Sequence, residues 1–556
     1  MLKTLLCVLS AALLVAGCKA PVEQVSNNRF SDEKLQRIYE LQDRGETRKL
    51  IPLLKSKKAE HREAAVLAFA SIQDSSAVRF LRENLLTDSK PNVRKAAAYS
   101  IGQMRDSVNV PSLFMALENE IVPEVRLYIM DALGKSANQV VVNYFNSFNT
   151  TVTLVREGHA RGMYRALYQG QIGDSFAKNC IRYFDIVSSE QTKFYAASVL
   201  ARLPKEQVLP YTVELNKLAS LHSEGEVGRL LRSVIEQIEI EVEVEVEKQV
   251  NPKDFSDMAA LYHDKPYELV NYLHKVTLTD DVIAKLMVWS FDYRYQVVRT
   301  TAAELCFKDF NIGHDKKIGE RYFDFIERCI TSRDMALQSL ACYEIRKNPN
   351  TRWEEMLMTY RDSLAMPRQI ETYLDMGKAL VKIRGEKFVH PPVKCNHPID
   401  WSYVKQIPSD QHVEIETNKG FIVIRLNVNE APGSVSNFLK QVDDGFYNGK
   451  FFHRVVPNFV IQAGCVRGDG WGSPDWTQRS EFSNYLTYET GAVGLASGGK
   501  DTEGVQFFIT HNPTPFLDGR YSIFAFVQSG MDVVNQIGVG DKIIQIRRVA
   551  IDPTGS

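Results

Sequence analysis

The residues best suited to chemistry fall in two short stretches. Residues 452–462 read Phe-His-Arg-Val-Val-Pro-Asn-Phe-Val-Ile-Gln, and residues 504–509 read Gly-Val-Gln-Phe-Phe-Ile. They bring together the guanidinium of Arg454, the amides of Gln462 and Gln506, and the rings of Phe459 and Phe508. A cationic fork and two amides beside apolar walls suit one small pocket, and that combination suits proline recognition.

Those side chains need a rigid frame. From Val413 onward the hydrophobic pattern alternates with a period of two, through Val413 to Thr417 and Phe421 to Leu426, with Asn418-Lys419-Gly420 between them, which is a hairpin signal. Residues Ala431 to Leu439 read as a capped helix, Phe451 to Arg454 as a strand, and Ala525 to Val527 as a late strand.

The Arg454-x7-Gln462 spacing, together with Gly504-x-Gln506-Phe507-Phe508-Ile509, resembles the core signature of cyclophilin-type peptidyl-prolyl isomerases. The resemblance runs from about Val413 to Ile551, roughly a quarter of the chain. It implies a closed eight-stranded β-barrel with two flanking helices. It also implies catalysis of X-Pro isomerisation by Arg454 and Gln462, with substrate held by Phe459, Val460, Gln506, Phe508, Phe516, Leu517 and Tyr521, and with Ala496 and Ser497 offering backbone to an extended peptide.

The reaction is slow unaided because peptide resonance sets a barrier of about 18–20 kcal/mol. A catalyst binds the twisted bond better than either planar isomer, with a donor aimed at the prolyl nitrogen, whose lone pair appears on twisting. Arg454 is the natural donor, and no cofactor, metal or nucleophile is required. Val460 stands where most members carry Met, Ser497 where many carry Asn, Phe516 where the eukaryotic type carries Trp, and Tyr521 where it carries His. The pocket stays apolar, so activity is expected to survive, while the lost indole N–H is expected to weaken cyclosporin binding. Asn458, Ala463 and Cys465 replace residues that are usually Gly, Gly and Asp. The Gly468-Asp469-Gly470-Trp471-Gly472 run lacks a following helix start and reads as a flexible loop rather than a phosphate cradle.

The rest of the chain is read without that resemblance. At 556 residues it exceeds what a single core supports, so several folding units are expected. With 67 basic against 68 acidic side chains, and no Lys/Arg-rich run, no field gathers polyanions, and nucleic acid is not an expected partner. Arg62, Arg94 and Arg126 recur every 32 residues, followed seven residues later by Phe69, Ile101 and Leu133. Pro91-Asn92-Val93-Arg94 returns as Pro123-Glu124-Val125-Arg126, a pattern resembling HEAT-type repeats. A helical unit of this period marks an all-α solenoid, with weaker copies at 193–197, 297–303 and 335–341 carrying it to about residue 385. In such repeats the recurrent Arg is expected to bond a neighbouring turn.

Residues 238–247 alternate Ile or Val with Glu, which leaves strand and helix both open. Met1-Leu2-Lys3, an apolar run over Leu5 to Ala16, and Val15-Ala16-Gly17-Cys18 read as an export signal ending in a bacterial lipobox. Cys18 would then carry lipid and tether the protein to a membrane of the cell envelope. Six further cysteines show no zinc-ligand spacing, and most read as small buried apolar groups.

The expected order is therefore a signal peptide at 1–17, a tether at 18–29, a HEAT-like α-solenoid at 30–387, a linker at 388–409 and an isomerase domain at 410–556. The expected function is isomerisation of X-Pro bonds in exported proteins, with the repeats offering a surface to clients or a protein partner. The alternative is a scaffold or holdase that captures proline-containing segments without turnover. Arg454 favours the first, Val460 and the altered loop the second.

Overall fold

In the computed structural model, the structure describes residues 28–239, 255–309, 316–391, 393 and 395–549. The lipidation call at Cys18, the signal peptide and most of the acidic alternating segment lie outside the described residues. None of the described helices is long and apolar enough to cross a membrane.

Helices fill both described stretches of the expected solenoid. The Pro-x-Val-Arg copies open the helices Pro91–Gln103 and Pro123–Lys135, each with Pro in the first turn, where its missing N–H leaves no bond unmade. The recurrent arginines lock one repeat to the next. Arg62 donates to Asp88 at 2.7 and 2.9 Å and to the Ser56 carbonyl at 2.9 Å. Arg94 repeats this 32 residues on, donating to Glu120 at 2.7 and 2.9 Å and to the Asp88 carbonyl at 2.8 Å. Arg126 reaches the Glu120 carbonyl at 3.0 Å, and Arg156 continues the ladder with Thr150 and Asp185. The arginine period is thus a packing device, as expected.

The segment taken as a linker is ordered at its end. It carries a short helix, Trp401–Val404, and Asn28 donates to the carbonyls of Val404 and Ile407 at 2.8 Å each.

The C-terminal region is one antiparallel sheet of eight strands: β1 His412–Thr417, β2 Gly420–Leu426, β3 Arg454–Val456, β4 Val460–Ala463, β5 Ala492–Leu495, β6 Phe507–Thr510, β7 Ile523–Ser529 and β8 Ile543–Val549. Their order is β3-β4-β6-β5-β7-β2-β1-β8. Helices Pro432–Asp443 and Met531–Gln536 flank it. The expected closed barrel is instead a curled, open sheet with β3 and β8 as its edges. β3 is only three residues long and pairs with β4 alone. The facing residues just before β3 and β8 meet through the isolated Phe451–Lys542 bridge and the Phe452 N–H to Asp541 carbonyl bond of 2.8 Å.

The helices of 28–239 share one continuous apolar core with the sheet, joined at Phe30, Tyr39 and Trp401, whose rings lie 5.2–6.4 Å apart. The helices of 255–384 have an apolar core of their own. The described cysteines form no disulfide, and all but Cys395 are buried.

Candidate active site

The register of three strands assembles the site. Arg454 pairs with Gln462 across β3 and β4, Gln462 with Phe508 across β4 and β6, and Phe508 with Gly494 across β6 and β5. Directly opposed residues project to one face of a sheet, so these side chains stand in a row. The row ends on a glycine for a steric reason. A β carbon on residue 494 would come within 2.1 Å of Tyr488 Oη and 2.7 Å of Phe508 Cζ. Its absence lets the Tyr488 ring stack on Phe508, with centroids 5.5 Å apart and planes 18° from parallel.

A polar relay runs along this row. Arg454 Nη1 donates to Gln462 Oε1 at 3.3 Å, Gln462 Nε2 to Gln506 Oε1 at 3.0 Å, and Gln506 Nε2 to the Gly470 carbonyl at 3.1 Å. The two amides are thereby oriented, and the guanidinium keeps its other N–H groups for a ligand. Beside the relay lies a cavity of about 280 Å³ walled by Phe459, Val460, Phe508, Leu517 and Tyr521, with Ala496 and Ser497 on its border. Val460, Phe508 and Leu517 are buried, while Arg454 is exposed.

Arg454 is the one fixed cation among the described residues here, with the Glu371 carboxyl at the border. Partial burial lowers the Arg454 guanidinium from its ordinary value, opposed by Tyr521, yet a guanidinium stays cationic in water. Burial raises the Tyr521 phenol. His453 is pushed down to about 4 by burial and then by Arg454, so its ring is neutral at neutral pH. A lone cation over an apolar slot, with amides to hold backbone, suits proline recognition.

Two helical regions hold the rims of this slot. On one side Arg165 reaches the Pro515 carbonyl and, at 2.9 Å, Asp518, next to Leu517. Tyr168 stacks on Phe516 at 6.0 Å. On the other side the 467–473 loop is tied to the second helical region. Arg467 pairs with Asp334 at 3.0 Å, Tyr267 donates to the Gly468 carbonyl at 2.6 Å, and Thr300 donates to Asp469 at 3.1 Å.

Residues 412–551 match the family model described as cyclophilin type peptidyl-prolyl cis-trans isomerase/CLD, and residues 47–134 match HEAT repeats. Peptidyl-prolyl cis-trans isomerase B of Bacillus subtilis is 46% identical over 118 residues, 21% of this chain and 82% of that protein. The chain belongs to the cyclophilin-type peptidyl-prolyl cis-trans isomerases. A relative from Synechococcus elongatus named peptidyl-prolyl cis-trans isomerase is 39% identical over 137 residues, 24% of this chain and 94% of that protein. The crystal structure of a Cryptosporidium parvum cyclophilin type isomerase aligns at 28% identity and TM-score 0.25, covering 26% of this chain and 99% of that one.

Within this cyclophilin domain most of the expected site residues converge. Arg454, Gln462, Phe459, Val460, Gln506, Phe508, Ala496, Ser497, Leu517 and Tyr521 all line the one slot. Phe516 does not. Its ring lies 5.5 Å from Phe459 and is drawn outward onto Tyr168, so it buttresses the rim from behind.

The Gly-rich run, expected to be flexible, is a docked loop. Cys465 Sγ accepts from the Gly468 and Gly470 N–H groups at 3.2 and 3.3 Å, so the cysteine closes this turn from inside. Asn458 turns between β3 and β4 at φ 60°, a left-handed geometry that Asn tolerates.

Sequence reasoning missed Asp518, Arg467 and Glu371. The first two act on loops through partners more than a hundred residues away. Glu371, on the helix Ile370–Arg384, lines the slot from outside the cyclophilin domain. No local pattern marks it.

Proposed function

We propose that Arg454 favours the twisted X-Pro bond by donating toward the prolyl nitrogen, while Gln462 and Gln506 hold substrate backbone and Phe459, Val460, Phe508, Leu517 and Tyr521 seat the ring. The observation that carries this reading is the relay of Arg454, Gln462 and Gln506 beside one apolar slot. Twisting destroys peptide resonance and leaves a basic nitrogen, so a donor fixed over that atom stabilises the transition state more than either ground state. A slot of about 280 Å³ takes a proline ring and its flanking backbone. The substrates are proline-containing polypeptides, and the reaction calls on no cofactor.

The chain's clients are exported proteins, met at a membrane to which Cys18 tethers the molecule. Support comes from the basic, apolar and Ala-Gly-Cys succession at the start of the sequence. The helical repeats add a protein-binding surface, a use to which stacked repeats lend themselves.

The test is the rate of cis–trans relaxation of an Ala-Pro peptide with the full chain and its Arg454→Ala variant. A loss of about a hundredfold or more in kcat/KM is expected. Equal rates would refute the assignment. Peptide binding without acceleration by either protein would favour the capture scaffold.

A further inference from the structure

A second cavity, of about 570 Å³, opens directly beside the proline slot, and the two share Glu371, Arg454, Gln462 and Gly470. Its walls come from two regions of the chain. The cyclophilin domain supplies Arg454 and Trp471, and the helices of 255–384 supply Val270, Thr301, Glu304 and Glu371. The shared walls put the chamber next to any peptide whose proline sits in the slot.

The charges in the chamber are unequally satisfied. Asp375 pairs with Lys378 at 3.1 Å, and Asp469 with Arg467 at 2.8 Å. Glu304, on the helix Gln296–Asp309, and Glu371 make no hydrogen bond or ion pair among the described residues. Glu371 is moreover wedged against the sheet domain. A β carbon on Gly498 would come within 2.7 Å of its Cγ, so the glycine admits this side chain to the border of the slot.

We infer that the helical repeats read the substrate directly, with Glu304 and Glu371 forming a subsite for a lysine or arginine close to the proline. This rests on the isomerase reading, since it places a peptide in the slot. A Lys or Arg stem suits the apolar wall at Val270, and its charged head meets Glu371 at the border of the slot or Glu304 in the chamber beyond. Glu304 is exposed and Glu371 half-buried at the surface of the chamber, and desolvation raises both carboxyls to about 7, with Asp469 adding to it for Glu304 and Asp375 adding to it against Lys378 for Glu371. A cationic ligand relieves that cost by favouring the ionised form. A flanking Glu would instead meet two like charges.

The experiment uses the full chain and hexapeptides containing one Ala-Pro bond, with Lys, Gln or Glu placed in turn at each position flanking that bond. At one or more positions kcat/KM is expected to rank Lys above Gln above Glu. The Lys-to-Gln ratio should reach up to about fivefold, the upper end of what an exposed ion pair contributes. In the Glu304→Gln/Glu371→Gln chain this ratio is expected to fall to one. Glutamine keeps size and shape, so the comparison does not hinge on folding. Equal kcat/KM for all three series, or a ratio that persists in the double variant, overturns the inference while leaving the isomerase assignment standing, provided Arg454→Ala remains slow. If Arg454→Ala turns over as fast as the native chain, both readings fall.

Discussion

The helices of 28–239 and those of 255–384 hold opposite rims of the same slot, by different chemistry. The first region shares its apolar core with the sheet and adds a buried charge network. Asp131 accepts from Arg161 and Arg165 at 2.8 Å and pairs with Lys135 at 2.6 Å, and Arg165 passes on to Asp518. The second region has a separate core and meets the sheet through single polar links and the Tyr267–Phe451 ring pair, 4.7 Å apart. A buried network is costly to break because each lost partner strands a desolvated charge. The second region's links are fewer, the largest being the two-point Arg467–Asp334 pair beside the buried Asp469, and its single hydrogen bonds are individually worth about 1 kcal/mol. The rim at Leu517 is therefore a fixed part of the fold, and the rim at Gly470 is an adjustable one.

The largest effect expected from this contrast is on stability. Arg165→Ala leaves Asp131 and Asp518 short of a buried partner and is expected to cost about 3–5 kcal/mol in denaturant unfolding of the full chain. Arg467→Ala, which strands Asp469 and its neighbour Asp334 at a single loop, is expected to cost less, about 2 kcal/mol, in the same assay. Equal costs would erase the distinction between the two rims.

Acid sharpens the same point. Burial pushes the Asp131 carboxyl up, but Arg161, Lys135 and Arg165 together hold it well below its ordinary value of 3.8. A carboxyl depressed by folding gives stability that is complete above the unfolded value and drains away as pH falls toward the folded one. The stability gap between the native chain and Asp131→Asn is accordingly expected to be full above about pH 4 and to narrow below it. A gap that widens on acidification would show that the network does not hold an ionised Asp131.

Activity should respond in the opposite order. Arg467 is a positioning residue. Its link to Asp334 steadies the loop whose Gly470 carbonyl receives Gln506, which in turn orients Gln462 and Arg454. Arg467→Ala is expected to lower kcat about tenfold with KM little changed, since sub-ångström misplacement of a donor weakens transition-state contacts first. Arg467→Lys, which keeps the charge, should restore part of that loss. A matching rise in KM with kcat intact would instead mark the loop as a substrate contact.

How far such features were legible depends on whether their partners are local. Arg454, Gln462 and Phe508 could be read because strand alternation fixes which side chains share a face. The arginine ladder could be read because its bonds repeat with the period of the residues that make them. The stacking of Phe516 on Tyr168 could not be read, because Tyr168 lies in another region with no sequence link to it. The 467–473 loop looked flexible because glycine content reports backbone freedom, whereas its anchors Tyr267, Thr300 and Asp334 are ordinary helix residues or caps. The eight antiparallel strands could be read, whereas the way their ends meet, through Phe451, Phe452, Asp541 and Lys542 just outside β3 and β8, is weakly encoded in so short an edge.

The smallest expected effect lies at the contact where the second region touches the slot. Gly498 offers its bare α carbon to Glu371, and an added methyl would lie 2.7 Å from Cγ, 3.3 Å from Cβ and 3.4 Å from Oε1. Cβ is bound to the helix backbone, so the side chain relieves the clash by turning about its outer torsions and carrying its carboxylate away from the slot. Most of the strain is relieved by rotamer change, and Gly498→Ala is expected to alter stability by no more than about 1 kcal/mol. Turnover of an uncharged Ala-Pro peptide should change little, because the relay of Arg454, Gln462 and Gln506 lies outside this contact. Discrimination between Lys- and Gln-flanked peptides should fall by about half, with Glu304 supplying the remainder. Were Gly498→Ala to slow every peptide equally and leave the Lys-to-Gln ratio untouched, the Glu371 rim would be acting on the shape of the slot alone, and the adjustable rim would be steric rather than electrostatic.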